Sequence, residues 1–317
     1  MEENNTSLEV KSNLVEPLKF LSLIFGIIGL SLTLIILISL KNLINRTIGS
    51  HLLICLAILM IDTILCLSNI IFGLTGIIND QYIVNNRWFC DFVLLIYIGG
   101  NYISIWYVGL LSLERGLLVI HNIKLPKVFW LTIISCELLL FLIINIIAIT
   151  NNKVGVATLA LYCSILHNLE FGLIITYIYF SLLVISVLIT IYSYIGIAIT
   201  QRRRAWKDIR ELNLDKDETL KSANRTITRV LALLILYLIT NGCDLVNSLI
   251  EISSGIERST TANFVAILLL NCNPIVNSIV LVQFHETVKL ALVKSYPCIG
   301  KFIGKGGVIN ENEHQID

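Results

Sequence analysis

Charge is scarce in this chain: Asp, Glu, Lys and Arg make up only 14% of 317 residues, against 56% hydrophobic. A soluble domain of this length could not hide so much apolar surface. Histidine is equally sparse, and His51, His121, His167, His285 and His314 all fall at the edges of apolar runs, in connections or in the tail. No embedded His pair exists to hold a metal, and no nucleophile stands beside a positioned base, so an enzyme is not expected. Gly-rich phosphate loops and sequence-specific nucleic-acid motifs are missing, which removes nucleic acid as a partner. The period-two alternation of membrane strands is absent as well, which excludes a barrel. Nor does the chain open on a basic segment and a short apolar core, so no cleaved leader is expected and the first apolar run serves as its own insertion signal.

What is present is length of apolar sequence. A helix needs roughly 20 mostly apolar residues to cross the hydrocarbon core. Seven stretches reach that length, near 18–40, 52–77, 90–120, 128–149, 170–200, 226–252 and 261–284. The expected fold class is therefore an all-α membrane protein, a seven-transmembrane helix bundle. No internal repeat or pair of interrupted runs points to the inverted halves of many transporters. After the seventh run, Val288, Ala291 and Leu292 share one face of a helix and Lys289 and Lys294 lie elsewhere. This predicts a short amphipathic surface helix.

The net charge of +1 decides little, but its distribution decides orientation. Of the Lys and Arg residues, only Lys11, Lys19, Arg87, Lys153 and Arg258 lie on the side of the N-terminus. The connection at 201–224, from Arg202, Arg203 and Arg204 onward, is the richest on the other side, and Lys207/Glu211 and Asp217/Lys221 are spaced to pair along helices extending from the membrane. The positive-inside rule then places the N-terminus outside and the C-terminus in the cytoplasm, with the basic loops facing lipid headgroups and cytosolic protein. Asn4 and Asn5 begin glycosylation sequons in the expected outer tail, whereas those at Asn45 and Asn224 fall on the cytoplasmic side. Cys298, just beyond the surface helix, is a candidate for palmitoylation.

The third run opens on Trp88-Phe89-Cys90 and closes on Leu113-Glu114-Arg115-Gly116. At helical rise, Cys90 and Arg115 stand about 37 Å apart, one at each rim of the membrane. A straight helix would present both from one face. Cys163 is the only other cysteine on the outer side, and an oxidising exterior permits a bond between it and Cys90. The seventh run contains Asn273-Pro274-Ile275-Val276-Asn277, where proline kinks the helix and the asparagines can satisfy freed carbonyls or water. A packing kink and a functional switch are both open readings of that motif alone.

Together these residues resemble the rhodopsin-like family of G-protein-coupled receptors over nearly the whole chain. Glu114-Arg115-Gly116 is similar to its Asp/Glu-Arg-Tyr motif, 273–277 to its Asn-Pro-x-x-Tyr motif, and Phe284 to the aromatic that packs the surface helix. Cys90 and Cys163 match the family's outer disulfide, and Tyr194 its helix-five tyrosine. The resemblance implies an outer tail (1–17), a seven-helix receptor domain (18–284) and a cytoplasmic surface helix with tail (285–317). It also implies residence in the plasma membrane, an extracellular ligand, a heterotrimeric G protein as partner and no cofactor. Glu114, Arg115, Tyr194, Asn273, Pro274 and Asn277 would carry coupling and switching. Departures are visible too. Gly116 and Asn277 replace tyrosines, helix six lacks the usual Trp and Pro, and helix five lacks its Pro. Counting from Leu56-Ala57 puts Met60 at the family's helix-two aspartate and Asp62 two residues late, so a conventional sodium pocket is not expected.

The family's amine-binding aspartate position is Tyr97 and its retinal-lysine position is Ile267, which excludes the usual modes of monoamine and retinal binding. Candidate ligand contacts are Tyr97, Asn101, Asn241, Asp244 and Asn247, among which Asp244 stands out because an ionisable group in a span is costly. A carboxylate at the outer interface is its plainer reading. Asp62 and Glu137 are expected to make structural polar contacts, although with Asp244 they also keep open a secondary transporter or channel.

Overall fold

The computed structural model describes residues 13–44, 49–79, 81–157, 159, 162–165, 170–255, 258–284 and 286–297. Asn4, Asn5 and Cys298, the candidate modification sites, lie outside the described residues. Helix accounts for 88% of the structure. Seven of the described helices are long and apolar enough to span a membrane, making this a multi-pass membrane protein. They are α1 (Val15–Ile44), α2 (Ser50–Ile78), α3 (Arg87–His121), α4 (Lys127–Thr150), α5 (Glu170–Leu212), α6 (Lys216–Ser254) and α7 (Thr260–Gln283). A short α8 (Glu286–Ser295) follows and packs its Val288, Ala291 and Leu292 face inward, with α1 as a neighbour. Helices suit lipid because every backbone polar group is satisfied within the segment. Serines and threonines inside the spans follow the same logic: Ser39, Thr63, Ser112 and Thr190 donate to carbonyls one turn back.

The ends are set by local chemistry. Asp215 caps α6 by accepting from the Glu218 amide at 2.9 Å, and Ser259 caps α7 by accepting from the Ala262 amide. Gly255 closes α6 with φ +66°, a left-handed conformation that favours glycine. Between α5 and α6 only 213–215 leave the helical path, so the two helices run well past the apolar segments, and Lys207 pairs with Glu211 at 3.6 Å. Among the described residues, the only strands are the antiparallel pair β1 (Val154–Val156) and β2 (Cys163–Ile165), between α4 and α5.

Burial separates the helices by role. In its most apolar window α3 is 67% buried, whereas α1 and α4 are 28% buried. Thus α3 is the central post, and α1 and α4 turn rows such as Ile24, Ile27, Ile38 and Leu131, Leu139, Ile143 toward lipid. Lipid tails are as apolar as leucine, so close packing between backbones is what holds such helices together. A Cβ on Gly73 of α2 would stand 2.9 Å from the Lys19 carbonyl of α1, and one on Gly116 of α3 2.8 Å from the Ser193 hydroxyl of α5. Glycine at these places lets the α1–α2 and α3–α5 pairs approach closely.

Two spans are irregular. A π-helical turn occupies Leu94–Ile98 of α3, beginning one turn after Cys90. It slips the helical register, so the face shared by Cys90 and Arg115 on a straight helix does not carry over. The seventh span breaks at Cys272 into Thr260–Asn271 and Asn273–Phe284, directly before Pro274.

Candidate functional site: two cavities on one bundle

Cys90 and Cys163 are joined by a disulfide that ties the start of α3 to β2, with their Cα atoms 5.4 Å apart. The hairpin is thereby held against α3 at this end of the bundle, the disulfide end. Arg87 adds a second tie, donating to the Val154 carbonyl at 3.0 Å. Beneath the hairpin lies a cavity of about 180 Å³ whose lining includes Tyr97, Asn101, Tyr102, Tyr162, Tyr179 and Asp244.

Arg258 dominates its electrostatics. From the connection between α6 and α7 its Nε donates to Glu251 Oε1 at 2.9 Å and its Nη2 to Glu251 Oε2 at 2.6 Å. Its Nη1 donates to Asp244 Oδ1 at 2.8 Å, and Nη2 also reaches the Ser248 hydroxyl at 3.3 Å. Burial alone would lower the guanidinium's pKa, but the Glu251 and Asp244 carboxylates outweigh it and hold it above its ordinary value. Among the described residues the cluster sets two carboxylates against one guanidinium. Neither Glu251 nor Arg258 was expected at a site from the sequence. A signal existed, however: Asp244, Ser248 and Glu251 follow the i, i+4, i+7 spacing of one helix face, and Arg258 comes just after the glycine that ends the helix.

The aromatic wall is held by hydrogen bonds between spans. Tyr97 donates to Asn271 Oδ1 at 2.7 Å, Asn271 in turn donates to Ser22 of α1 at 3.0 Å, and Tyr162 donates to Asn263 Oδ1 at 2.7 Å. Burial pushes the Tyr162 phenol up, which keeps it a neutral donor. Of the candidate ligand residues, Tyr97, Asn101 and Asp244 line the cavity, with Asn101 spending one N–H on the Tyr97 carbonyl at 2.8 Å. Asn241 and Asn247 do not line it, because helical phase and nearer partners take them elsewhere. Asn247 donates to the Ala262 carbonyl, joining α6 to α7, while Asn241 lies deeper and accepts from Asn273 at 2.9 Å.

Asn273 thus ties the break in α7 to α6. One turn on, Asn277 donates to Asp62 Oδ2 at 3.1 Å and to the Ser104 hydroxyl at 3.0 Å, and Ser104 donates to Asp62 Oδ1 at 2.6 Å. Asp62 is fully buried. Its place two residues beyond the motif count does not keep its carboxylate from α3 and α7, since packing across the bundle decides where it points. Glu137, by contrast, is only half-buried on α4, and its Oε2 makes no hydrogen bond.

The opposite, arginine end opens into a larger crevice of about 580 Å³ lined by Glu114, Arg115, Arg229, Val230, Gln283 and Thr287, among others. Glu114 accepts from Ser50 of α2 at 2.9 Å, fixing the carboxylate beside Arg115. Tyr194 is buried nearby against Ile197, Val230 and Leu234, at the seam of α5 and α6. The second tyrosine position of the resembled motifs, Asn277, turns its amide to Asp62 instead of toward this crevice.

No protein-family model matches the chain, and no curated protein matches its sequence.

Proposed function

We propose that the chain is a rhodopsin-like receptor in the plasma membrane, N-terminus outside, that binds an extracellular ligand at the disulfide end and activates a heterotrimeric G protein at the arginine end. The observation that carries this reading is the placement of Arg115 in an open crevice on the same helix whose far end is bonded through Cys90 to the hairpin over a second cavity. A guanidinium at such a rim can engage backbone carbonyls and carboxylate of a docking peptide. Glu114, held by Ser50, supplies the neighbouring charge that restrains it. Between the cavities, Asn271, Asn273 and Asn277 of the broken α7 reach α3, α6 and α2. A ligand with different affinity for two arrangements of these contacts would shift their populations, and that is all the coupling requires.

The test is nucleotide exchange on purified heterotrimers with the chain in nanodiscs. Arg115→Ala should abolish basal or stimulated exchange while surface expression persists. Unchanged exchange in that variant defeats the assignment. A second reading, a secondary transporter, draws on the fully buried Asp62 carboxylate lying between α2, α3 and α7. It requires substrate flux that Asp62→Asn eliminates.

A further inference from the structure

The geometry points to a small organic cation, an ammonium or guanidinium on a compact apolar body, as the ligand of the cavity at the disulfide end, anchored by Asp244. This rests on the receptor reading for its role and on the cavity alone for its chemistry.

The charge count is uneven in a specific way. Glu251 takes Arg258 in a two-point pair, through Nε at 2.9 Å and Nη2 at 2.6 Å. Planar fork-on-fork pairing of this kind is the strongest geometry open to the two groups. Asp244 receives one bond, from Nη1 at 2.8 Å, and only through Oδ1. Among the described residues, then, Glu251 takes the two-point pair with Arg258, and Asp244 is the carboxylate left with a single bond to it. It is 6% exposed and lines the cavity. A carboxylate withdrawn from water is costly unless a second cation or further donors complete it.

Arg258 also lines the cavity, but its Nε, Nη1 and Nη2 donate to Glu251, Asp244 and Ser248, and the wall is otherwise aromatic and apolar with few polar groups. Tyr97, Tyr102, Tyr162 and Tyr179 all line it, with Tyr102 and Tyr179 stacked on one another at 4.5 Å and Phe141 stacked on Tyr179. Aromatic faces attract ammonium and guanidinium groups. An anionic ligand would have to compete with two carboxylates for an arginine already bonded to both. Size narrows the class further, because about 180 Å³ is well below the cavities of roughly 300–1,000 Å³ that enclose drug-sized molecules. One aromatic or branched residue's worth of ligand fits. It is either a free amine of that size or one cationic side chain or terminus of a peptide whose remainder lies outside.

The site differs from a helix-three anchor, since Tyr97 occupies that position and the charge comes from α6. The experiment uses the full chain in nanodiscs and two probes of nearly equal shape, phenylguanidine, a cation, and phenylurea, its neutral counterpart. Phenylguanidine should raise the unfolding temperature and bind about 10- to 100-fold more tightly than phenylurea, the range expected for a hydrogen bond to a buried charge. Asp244→Asn keeps an acceptor for Arg258 and removes the charge, and should erase the preference. Equal responses to the two probes, no response to either, or full phenylguanidine binding by Asp244→Asn overturns the proposal. The two wild-type titrations decide it even where the variant does not fold. Repeating them with arginine amide separates the sources: tight binding of phenylguanidine alone supports a free amine, and tight binding of both supports a peptide's cationic residue. Nucleotide exchange, run separately, keeps the two questions apart. Cation binding without exchange leaves the site standing and removes the receptor reading, while Arg115-dependent exchange without cation preference does the reverse.

Discussion

The two ends of the bundle are built on opposite principles. At the disulfide end a covalent bond, a hairpin and an ion cluster close over a cavity of about 180 Å³. At the arginine end α5 and α6 run past their apolar segments, beside a crevice of about 580 Å³. Covalent and ionic ties are thus concentrated around the smaller cavity, where a small ligand would need a pre-shaped site, and the greater volume lies at the end where a macromolecule would need entry. Both cavities are lined by α3, α5, α6 and α7, and α3 is the most buried of these, so the packing of those four helices on one another is what joins the two ends.

The largest effect expected from breaking this asymmetry comes from Arg258. Its removal leaves Glu251 and Asp244 buried without their cation, and losing one partner of a buried ion pair costs about 3–5 kcal/mol. Arg258→Ala should therefore lower the thermal unfolding midpoint sharply, and adding Glu251→Gln should recover most of the loss. A midpoint that hardly moves in Arg258→Ala would show that the cluster is solvated and that the disulfide end is not electrostatically closed.

Next in size is the disulfide. Replacing Cys90 and Cys163 together by serine releases a cross-link across 73 residues, with an expected loss of about 2–4 kcal/mol. Amide hydrogen exchange can tell where that loss falls. Amides of β1 and β2 should become fast while those around Arg115 stay protected. Uniform acceleration at both ends would mean that the two regions do not differ in the way described.

Much of this architecture was legible in the sequence because lipid imposes few solutions. Apolar length alone located seven spans, and the amphipathic pattern at Val288, Ala291 and Leu292 located α8. Spacing also put Cys90 and Arg115 at opposite ends of one helix. Legibility failed where tertiary packing chooses the direction of a side chain. Asp62 and Glu137 are both expected to make structural polar contacts; Asp62 does, with Ser104 and Asn277, whereas Glu137 on α4 leaves its Oε2 without a hydrogen bond. Asn241 and Asn247 share a helix with Asp244 but spend their amides on neighbouring turns and on α7, away from the cavity. The π turn at Leu94–Ile98 has no marker in its apolar sequence, and Arg258 could be paired only once the loop's path was known.

The smallest effect sharpens the comparison from the open side, where openness need not mean loose packing. Gly116 stands where the resembled motif has tyrosine, and a Cβ there would come within 2.8 Å of the Ser193 hydroxyl. Gly109 repeats the arrangement two turns earlier against Ser186, whose hydroxyl donates to the Ile105 carbonyl of α3 at 3.0 Å. The α3–α5 seam is therefore closed tight, and the crevice opens beside it toward α6, which contributes Arg229, Val230 and Leu233 to its wall. If α3 and α5 form one fixed unit, any widening of the crevice falls to its other walls, α6 with α7 and α8. Gly116→Tyr should then force the seam apart and cost about 1–3 kcal/mol, the usual range for overpacking, with Gly116→Ala smaller in the same direction. Thermal midpoints of the two variants check this directly. A Gly116→Tyr protein as stable as the parent would mean that the seam yields and that α3 and α5 are not a fixed unit.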